Sequence, residues 1–291
     1  RNGVIDKWTK AGVRGWRLDV VDELPTDFTE ALCAAIRGSG KDSLVIGEVW
    51  EDASDKVSYG TWRPYFMGDE LDGVMNYPFR RAIFDLVMRG DRGAFRDEVA
   101  LIAEHYPKES LDASLTLLGS HDTVRALTAL SGVSAPATKE ERRGYRLPRD
   151  LEDLAVLRLK AAAILQYTLP GIPCVYYGDE AGMQGFEDPL NRATYPWGRE
   201  RDDLLAHYKA LGVMRARNKE ALTGRLRFRD DDELAVFDRV SEDGRHILTV
   251  RYNPCLHTVE REIDAEDAFT GEWVDSVRIP PLSAYVSARR V

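Results

Sequence analysis

Over the first three quarters of the chain, short runs of β-branched and aromatic residues alternate with longer stretches whose apolar positions recur every three or four residues. The runs predict strands at 15–20 (GWRLDV), 43–50 (SLVIGEVW), 73–77 (GVMNY), 114–122 (SLTLLGSHD) and 174–178 (CVYYG). The helical spacing predicts helices over 26–37, 79–89, 94–105 and 151–168, the last stopped by Leu169-Pro170-Gly171. Ahead of the first strand, VIDKWTKAG reads as the last turns of a helix ending at Gly12. Strand and helix in alternation imply a parallel sheet with helical crossovers.

From about Leu222 the pattern changes to short strands, at 225–229, 234–239, 246–252, 257–263 and 284–288. Turn residues such as Glu242-Asp243-Gly244 and Asn253-Pro254 separate them. The expected organisation is therefore an α/β unit over 1–221 and a small antiparallel β-sandwich domain over 222–291. The polar stretch 131–150 reads as an irregular surface loop, and no internal repeat is evident.

Three of the β runs in the α/β unit carry an acid near their end: Asp19, Glu48 and Asp122. An unpaired acid on a buried strand costs several kcal/mol, whereas parallel α/β sheets gather their functional groups at strand C-termini. Convergence of the three acids on one pocket is the reading that fits. Arg17 and Asp19 lie two apart and share a face, so the guanidinium would keep Asp19 ionised, as a nucleophile requires. Glu48 sits among Val45, Ile46 and Val49, where low polarity would let it hold a proton for donation. His121 offers a hydrogen-bond donor beside Asp122. An ionised and a protonated carboxylate across a cleft are the equipment of glycoside hydrolysis, although acids alone specify only an acid/base pocket.

Composition narrows the partners. The 291 residues carry 40 Lys+Arg against 49 Asp+Glu, a net charge of −9, which argues against nucleic acid or an anionic membrane surface. No apolar run approaches the roughly 20 residues that cross a bilayer. Cys33, Cys174 and Cys255 lie far apart and read as buried small hydrophobes of a reducing compartment, and no leader precedes them, so a cytoplasmic location is expected. His105, His207, His246 and His257 show no ligand spacing. His121, Asp122 and Glu48 lack a second histidine, so no metal or cofactor is expected.

The segments GWRLDVVDE, VIGEVW and LLGSHDTVR resemble signature segments of the alpha-amylase family of glycoside hydrolases, and YYGDEAGMQGFEDPLNRATYPW is similar to the segment around that family's last barrel strand. GEVW and GSHDT are most similar to the neopullulanase, cyclomaltodextrinase and maltogenic amylase branch. The resemblance implies Asp19 as nucleophile, Glu48 as general acid/base and Asp122 as transition-state stabiliser. It implies Arg17 and His121 at the cleaved sugar, with Glu23 on the leaving-group side. Trp50 is a candidate for stacking on a sugar ring, Asp188 and Arg192 for binding substrate. Trp62, Tyr65 and Phe66 divide evenly between sugar platform and packing, and Asp179-Glu180 is as readily a cap.

The resemblance also implies a (β/α)8 barrel, of which the sequence supplies only about strands four to eight, five in all. The family's earlier Asp followed by an Asn-His pair is absent. The chain is therefore expected to be the C-terminal part of a longer enzyme, with any calcium site in the absent part. Its expected activity is retaining hydrolysis of α-glucosidic bonds in maltodextrins, cyclodextrins or pullulan. An α-1,6-glucosidase, a 4-α-glucanotransferase and a catalytically incomplete glucan-binding fragment are the alternatives. The expected partners are α-glucans, and a homodimer or the missing N-terminal portion would cover the open sheet.

Overall fold

A computed structural model describes residues 3–39 and 42–290. After helix α1 (Val4–Lys10), which closes through Gly12 at φ +106°, come β1 (Gly15–Leu18), α2 (Thr26–Ser39) and β2 (Leu44–Gly47). A small hairpin of β3 (Val57–Ser58) and β4 (Thr61–Trp62) precedes β5 (Gly73–Asn76), α3 (Tyr77–Arg89), α4 (Arg92–His105) and α5 (Lys108–Ala113). Then follow β6 (Leu115–Leu117), α6 (Ala126–Leu130), α7 (Lys139–Gly144), α8 (Arg149–Thr168), β7 (Ile172–Cys174), α9 (Asp202–Arg217) and α10 (Lys219–Leu222). The C-terminal strands are β8 (Arg225–Arg229), β9 (Ala235–Val240), β10 (His246–Tyr252), β11 (Val259–Asp267), β12 (Trp273–Ile279) and β13 (Ala284–Arg290).

Five strands form a parallel sheet in the order β1-β2-β5-β6-β7, each pairing with its predecessor of the series, as repeated helical crossovers require. The helices obey local rules. In α3 the Asn76 side chain accepts the Phe79 N–H at 3.0 Å, Pro78 occupies the first turn, and Gly90 at φ +70° ends the helix. Phe79, Ala82, Ile83 and Leu86 recur at helical spacing and are buried. Helix α8 is apolar nearly all round over residues 161–165, and it lies buried between neighbours instead of on the surface.

The strands are shorter than the sequence predicts, and this moves the acids. Strand β1 ends at Leu18, β2 at Gly47 and β6 at Leu117, so Asp19, Glu48 and Asp122 stand in the loops beyond the strand ends. The expected strand 174–178 forms earlier, as Ile172–Cys174, with Pro173 inside it. Proline cannot donate to a ladder, and β7 tolerates it as the last strand of the sheet. The stretch 131–150 is not wholly irregular, because Thr138 and Glu141 close a capping box that starts α7.

The C-terminal strands make one six-stranded antiparallel sheet, β12-β11-β13-β10-β9-β8, in place of the two sheets of a sandwich. Leu234, Val236, Val259 and Ile279 nonetheless form a cluster with Val277 and Tyr285, joining the start of β9 to β11, β12 and β13, none of which is its ladder neighbour. Strand β12 escapes sequence detection because its residues are mostly exposed and partly charged. The opposite face of this sheet belongs to the main core. Phe95 of α4 meets Phe228 and Phe237 at 6.0 and 6.3 Å, and the buried Arg239 donates to the carbonyls of Thr168, Leu222 and Gly224. Cys33, Cys174 and Cys255 are unpaired thiols. Among the described residues no helix is long and apolar enough to cross a membrane.

Candidate active site

The register Arg17↔Ile46 and Leu18↔Gly47 brings the residues that follow β1 beside those that follow β2. Arg17, whose side chain shares a face with Asp19, turns one guanidinium nitrogen to Asp19 Oδ1 and the other to Glu48 Oε2 at 2.9 Å. Asp19 is open to solvent, 72% exposed at its side chain, and Glu48 is buried at 6%. The apolar sequence neighbours of Glu48 suggest a nonpolar pocket, but its polar partners come from the other strand. Besides Arg17, the Val20 N–H donates to Glu48 Oε2 at 2.9 Å. Val20 adopts φ +40° and ψ +50°, a left-handed conformation that β-branched residues rarely take. The strained turn is what aims its N–H at the carboxylate.

Asp122 is built from a second group of elements. Ser120 N–H donates to Thr123 Oγ1 at 2.9 Å, and Asp122 N–H donates to Ser120 Oγ at 3.2 Å, a tight loop fixed by its own hydroxyls. His121 Nε2 lies 3.0 Å from one Asp122 oxygen and Arg192 3.6 Å from the other. Arg192 also holds Asp188 at 3.0 Å, so the two residues expected to bind substrate form one chain of charge leading to Asp122.

Tyr77 stands between the two groups. Its hydroxyl donates to Ser120 Oγ at 3.2 Å, and burial, with the charges of Glu48 and Asp122, pushes its phenol above the usual range. Trp50 stacks on Tyr77 with ring centroids 3.8 Å apart and planes 9° from parallel. One face of Trp50 is thus taken by protein, and the indole keeps 42% of its surface open.

Behind Asp122 lies support that sequence reasoning missed. Asn191 Nδ2 donates to the carbonyls of His121 and Thr123 at 2.7 and 2.8 Å. Arg125, fully buried, donates to the Asn191 carbonyl at 2.8 Å and to the Tyr177 carbonyl, and its guanidinium lies 4.2 and 4.6 Å from the Tyr176 and Tyr177 rings. Its acidic partner is Asp179 at 3.4 Å, which burial pushes up to about 7 against the pull of Arg125. Asp179 is therefore an ion-pair partner and not a cap, whereas Glu180 accepts the Gly178 N–H at 2.8 Å. Only glycine fits at 119, where a Cβ would stand 2.5 Å from Asp179 Oδ2. Asn191 and Arg125 both fall inside segments notable for other residues, and only the fold shows their reach.

The remaining candidates separate. Glu23 is exposed and accepts the Tyr59 hydroxyl at 2.7 Å from the tip of the β3–β4 hairpin. Trp62 is exposed and donates to Asp55 at 3.1 Å, whereas Tyr65 is buried against Asp22 and Phe66 packs on Tyr106 at 4.7 Å. Of the expected aromatic trio, then, Tyr65 and Phe66 are packing. His105 pairs with Asp52 at 2.6 Å, His207 with the Lys160 carbonyl at 2.9 Å and His246 with Asn218 at 3.0 Å. The larger of the described cavities, about 910 Å³, lies away from the acids, between α4 and the C-terminal sheet.

Comparison with known proteins points one way. The profile described as "Alpha amylase, catalytic domain" matches residues 2–232. An amylopullulanase of Thermoanaerobacter thermohydrosulfuricus is 37% identical over 280 residues, covering 92% of this chain and 16% of that protein. A cyclomaltodextrinase of Geobacillus thermopakistaniensis is 31% identical over 269 residues, covering 90% and 40%. The ligand-free cyclic alpha-maltosyl-(1→6)-maltose hydrolase of Arthrobacter globiformis superposes with a TM-score of 0.76 at 25% identity, covering 99% of this chain and 58% of that one. The chain spans well under two thirds of the length of each of these relatives.

Proposed function

The chain belongs to the alpha-amylase family of glycoside hydrolases, and from that premise we propose that it carries the catalytic acids of a retaining enzyme cleaving α-glucosidic bonds in maltodextrins, cyclodextrins or pullulan. The observation that carries the reading is the shared cation: Arg17 bridges an exposed Asp19 and a buried Glu48 at adjacent strand ends. Asp19, open to solvent, attacks the anomeric carbon while Glu48 gives its proton to the departing glycosidic oxygen. The C–O bond breaks and a glycosyl ester forms on Asp19. Water then attacks the same carbon, Glu48 takes its proton, and the ester bond returns its electron pair to Asp19. Asp122, with His121 and Arg192, grips sugar hydroxyls as positive charge grows on the ring. Arg17 orients both acids, Glu23 borders the leaving-group side, and Trp50 and Asp188 complete the walls.

The test is reducing-sugar release from maltoheptaose by the intact enzyme, with the product anomer followed by NMR and with Asp19→Asn and Glu48→Gln alongside. Release of the α-anomer that disappears in both variants is the expected result. Initial release of the β-anomer would overturn the two-displacement mechanism, and turnover in Asp19→Asn would overturn the assignment. Action on α-1,6 bonds is the second reading. It is favoured by the cyclic alpha-maltosyl-(1→6)-maltose hydrolase among the structural relatives, and product analysis on pullulan decides it.

We further propose that the five parallel strands correspond to the last five of a (β/α)8 barrel, with the α/β unit over 1–221 and the β domain over 222–291. The sheet has two open edges, β1 and β7, among the described residues, and the relatives are much longer. These edges are where remaining barrel strands, or a second copy, would pair. Gel filtration giving a stable monomer of 32.8 kDa for this chain would contradict it.

A further inference from the structure

Far from the acids, two loops of the C-terminal sheet bring together a carboxylate, a thiol and an imidazole. Glu233 lies between β8 and β9, and Cys255 and His257 lie on the turn between β10 and β11. Their donor atoms all fall within 4.8 Å of one another. His257 Nε2 stands 2.8 Å from Glu233 Oε1, and Cys255 Sγ stands 3.8 Å from the Glu233 carbonyl. We propose that this is a binding site for a zinc-class divalent cation.

The donor set selects the ion. A soft thiolate and a borderline imidazole suit zinc and cobalt, whereas calcium and magnesium take oxygen ligands throughout. Thiolate and carboxylate together offset the dication, which leaves no excess charge to bury. Three protein ligands leave the fourth tetrahedral position to water, and His257, 65% exposed, keeps that side open.

The loops are fixed in advance by groups that are not themselves donors. Asn253, fully buried, accepts the Cys255 N–H at 2.9 Å and donates to the carbonyls of His257, Ile279 and Pro280. Asp231 accepts the N–H groups of Glu233 and Leu234 at 2.9 and 2.8 Å. Arg261 holds Asp231 and reaches Glu233 Oε2 at 3.2 Å, which leaves Oε1 turned to His257. A guanidinium behind a ligand carboxylate is the kind of outer contact that orients metal ligands. The donors, all within 4.8 Å of one another, would close on binding to the roughly 3.5 Å separation of a tetrahedral zinc site. On binding, the Cys255 thiol loses its proton to solvent, the Glu233–His257 hydrogen bond breaks, and three bonds to the metal form. No electrons are transferred.

The bound ion would stiffen the loop on which α4 docks, because Arg92 donates to the carbonyls of Asp231, Asp232 and Leu234. The test is titration of the metal-free chain with Co²⁺, followed by absorption. One equivalent should give a thiolate-to-cobalt charge-transfer band that Zn²⁺ displaces. The band should vanish in Cys255→Ser and weaken at least about 10-fold in affinity in His257→Gln and Glu233→Gln. Hydrolysis of maltoheptaose should be unchanged in all three, since none touches the acids, and this separates the proposal from the fate of the hydrolase reading. Circular dichroism and melting of each variant check its fold. As a measurement free of substitutions, native mass spectrometry should find one zinc per chain. No band, a band that survives His257→Gln and Glu233→Gln, or no retained zinc would overturn the site.

Discussion

Arg17 Nη2 lies 2.9 Å from Glu48 Oε2 while the same guanidinium holds Asp19, so one cation serves two carboxylates of very different exposure. The planar fork reaches the two acids from separate nitrogens held in one fixed geometry, which a single, rotatable ammonium nitrogen does not reproduce. Arg17→Lys should therefore lower kcat on maltoheptaose by about 100-fold or more, because the fixed relative orientation of the two acids is lost. Turnover within a few-fold of the parent would break the link between the bridge and the chemistry.

Val20 tests the strained turn. Its left-handed backbone costs of order 1–3 kcal/mol. Glycine carries no such strain and a larger unfolded-state entropy. Val20→Gly should thus leave stability equal or up to about 1 kcal/mol higher, read from the urea midpoint, while kcat falls as the N–H donor to Glu48 loosens. A loss of stability with unchanged kcat would reverse both halves.

Asn191→Ala removes the two bonds that pin the carbonyls of His121 and Thr123. The expected result is a drop in kcat of about 10- to 100-fold, since small displacements of a reacting group carry such costs. Destabilisation of about 1–3 kcal/mol should accompany it. Unaltered kcat would mean that Asp122 holds its position without this support.

Glu70 predicts a pH dependence of folding. It is 1% exposed, neither carboxylate oxygen has a hydrogen-bond partner among the described residues, and burial pushes it up to about 7. A raised carboxylate binds its proton more tightly folded than unfolded, so its contribution is fully present below about pH 4.5 and is lost as pH rises through 7. Glu70→Gln, the uncharged isostere, should be nearly neutral near pH 4.5 and stabilising by about 3 kcal/mol at pH 8.5. Equal effects at both pH values would show that the fold does not raise Glu70 above the ordinary carboxylate range.

Which parts of this were legible in the chain follows from how local their causes are. The stop at Leu169-Pro170-Gly171 and the alternation of strand and helix are nearest-neighbour matters, and they read correctly, whereas Asn76, expected within a strand, also caps α3. Arg17 and Asp19 are two residues apart, so their contact also read correctly. Glu48 did not: its apolar neighbours are local, but Arg17 and the Val20 N–H reach it from another strand. The ladders end early because the residues after Leu18 and Leu117 form side-chain bonds in place of strand pairing, and hydrophobicity carries no trace of that. The metal cluster was hidden because Glu233 lies 24 residues from His257, and histidine spacing alone is blind to such a partner.

The buried Arg239 has a consequence for how this protein comes apart. It reaches from the C-terminal sheet to carbonyls at the end of α8 and around α10, which lose this donor if that sheet departs. Phe95, Phe228 and Phe237 interlock across the same junction. Peeling the sheet away would break those bonds and bare an aromatic face at once, so the two parts are expected to melt in a single transition. A graft between relatives at this seam must carry the arginine and its three acceptors as a set.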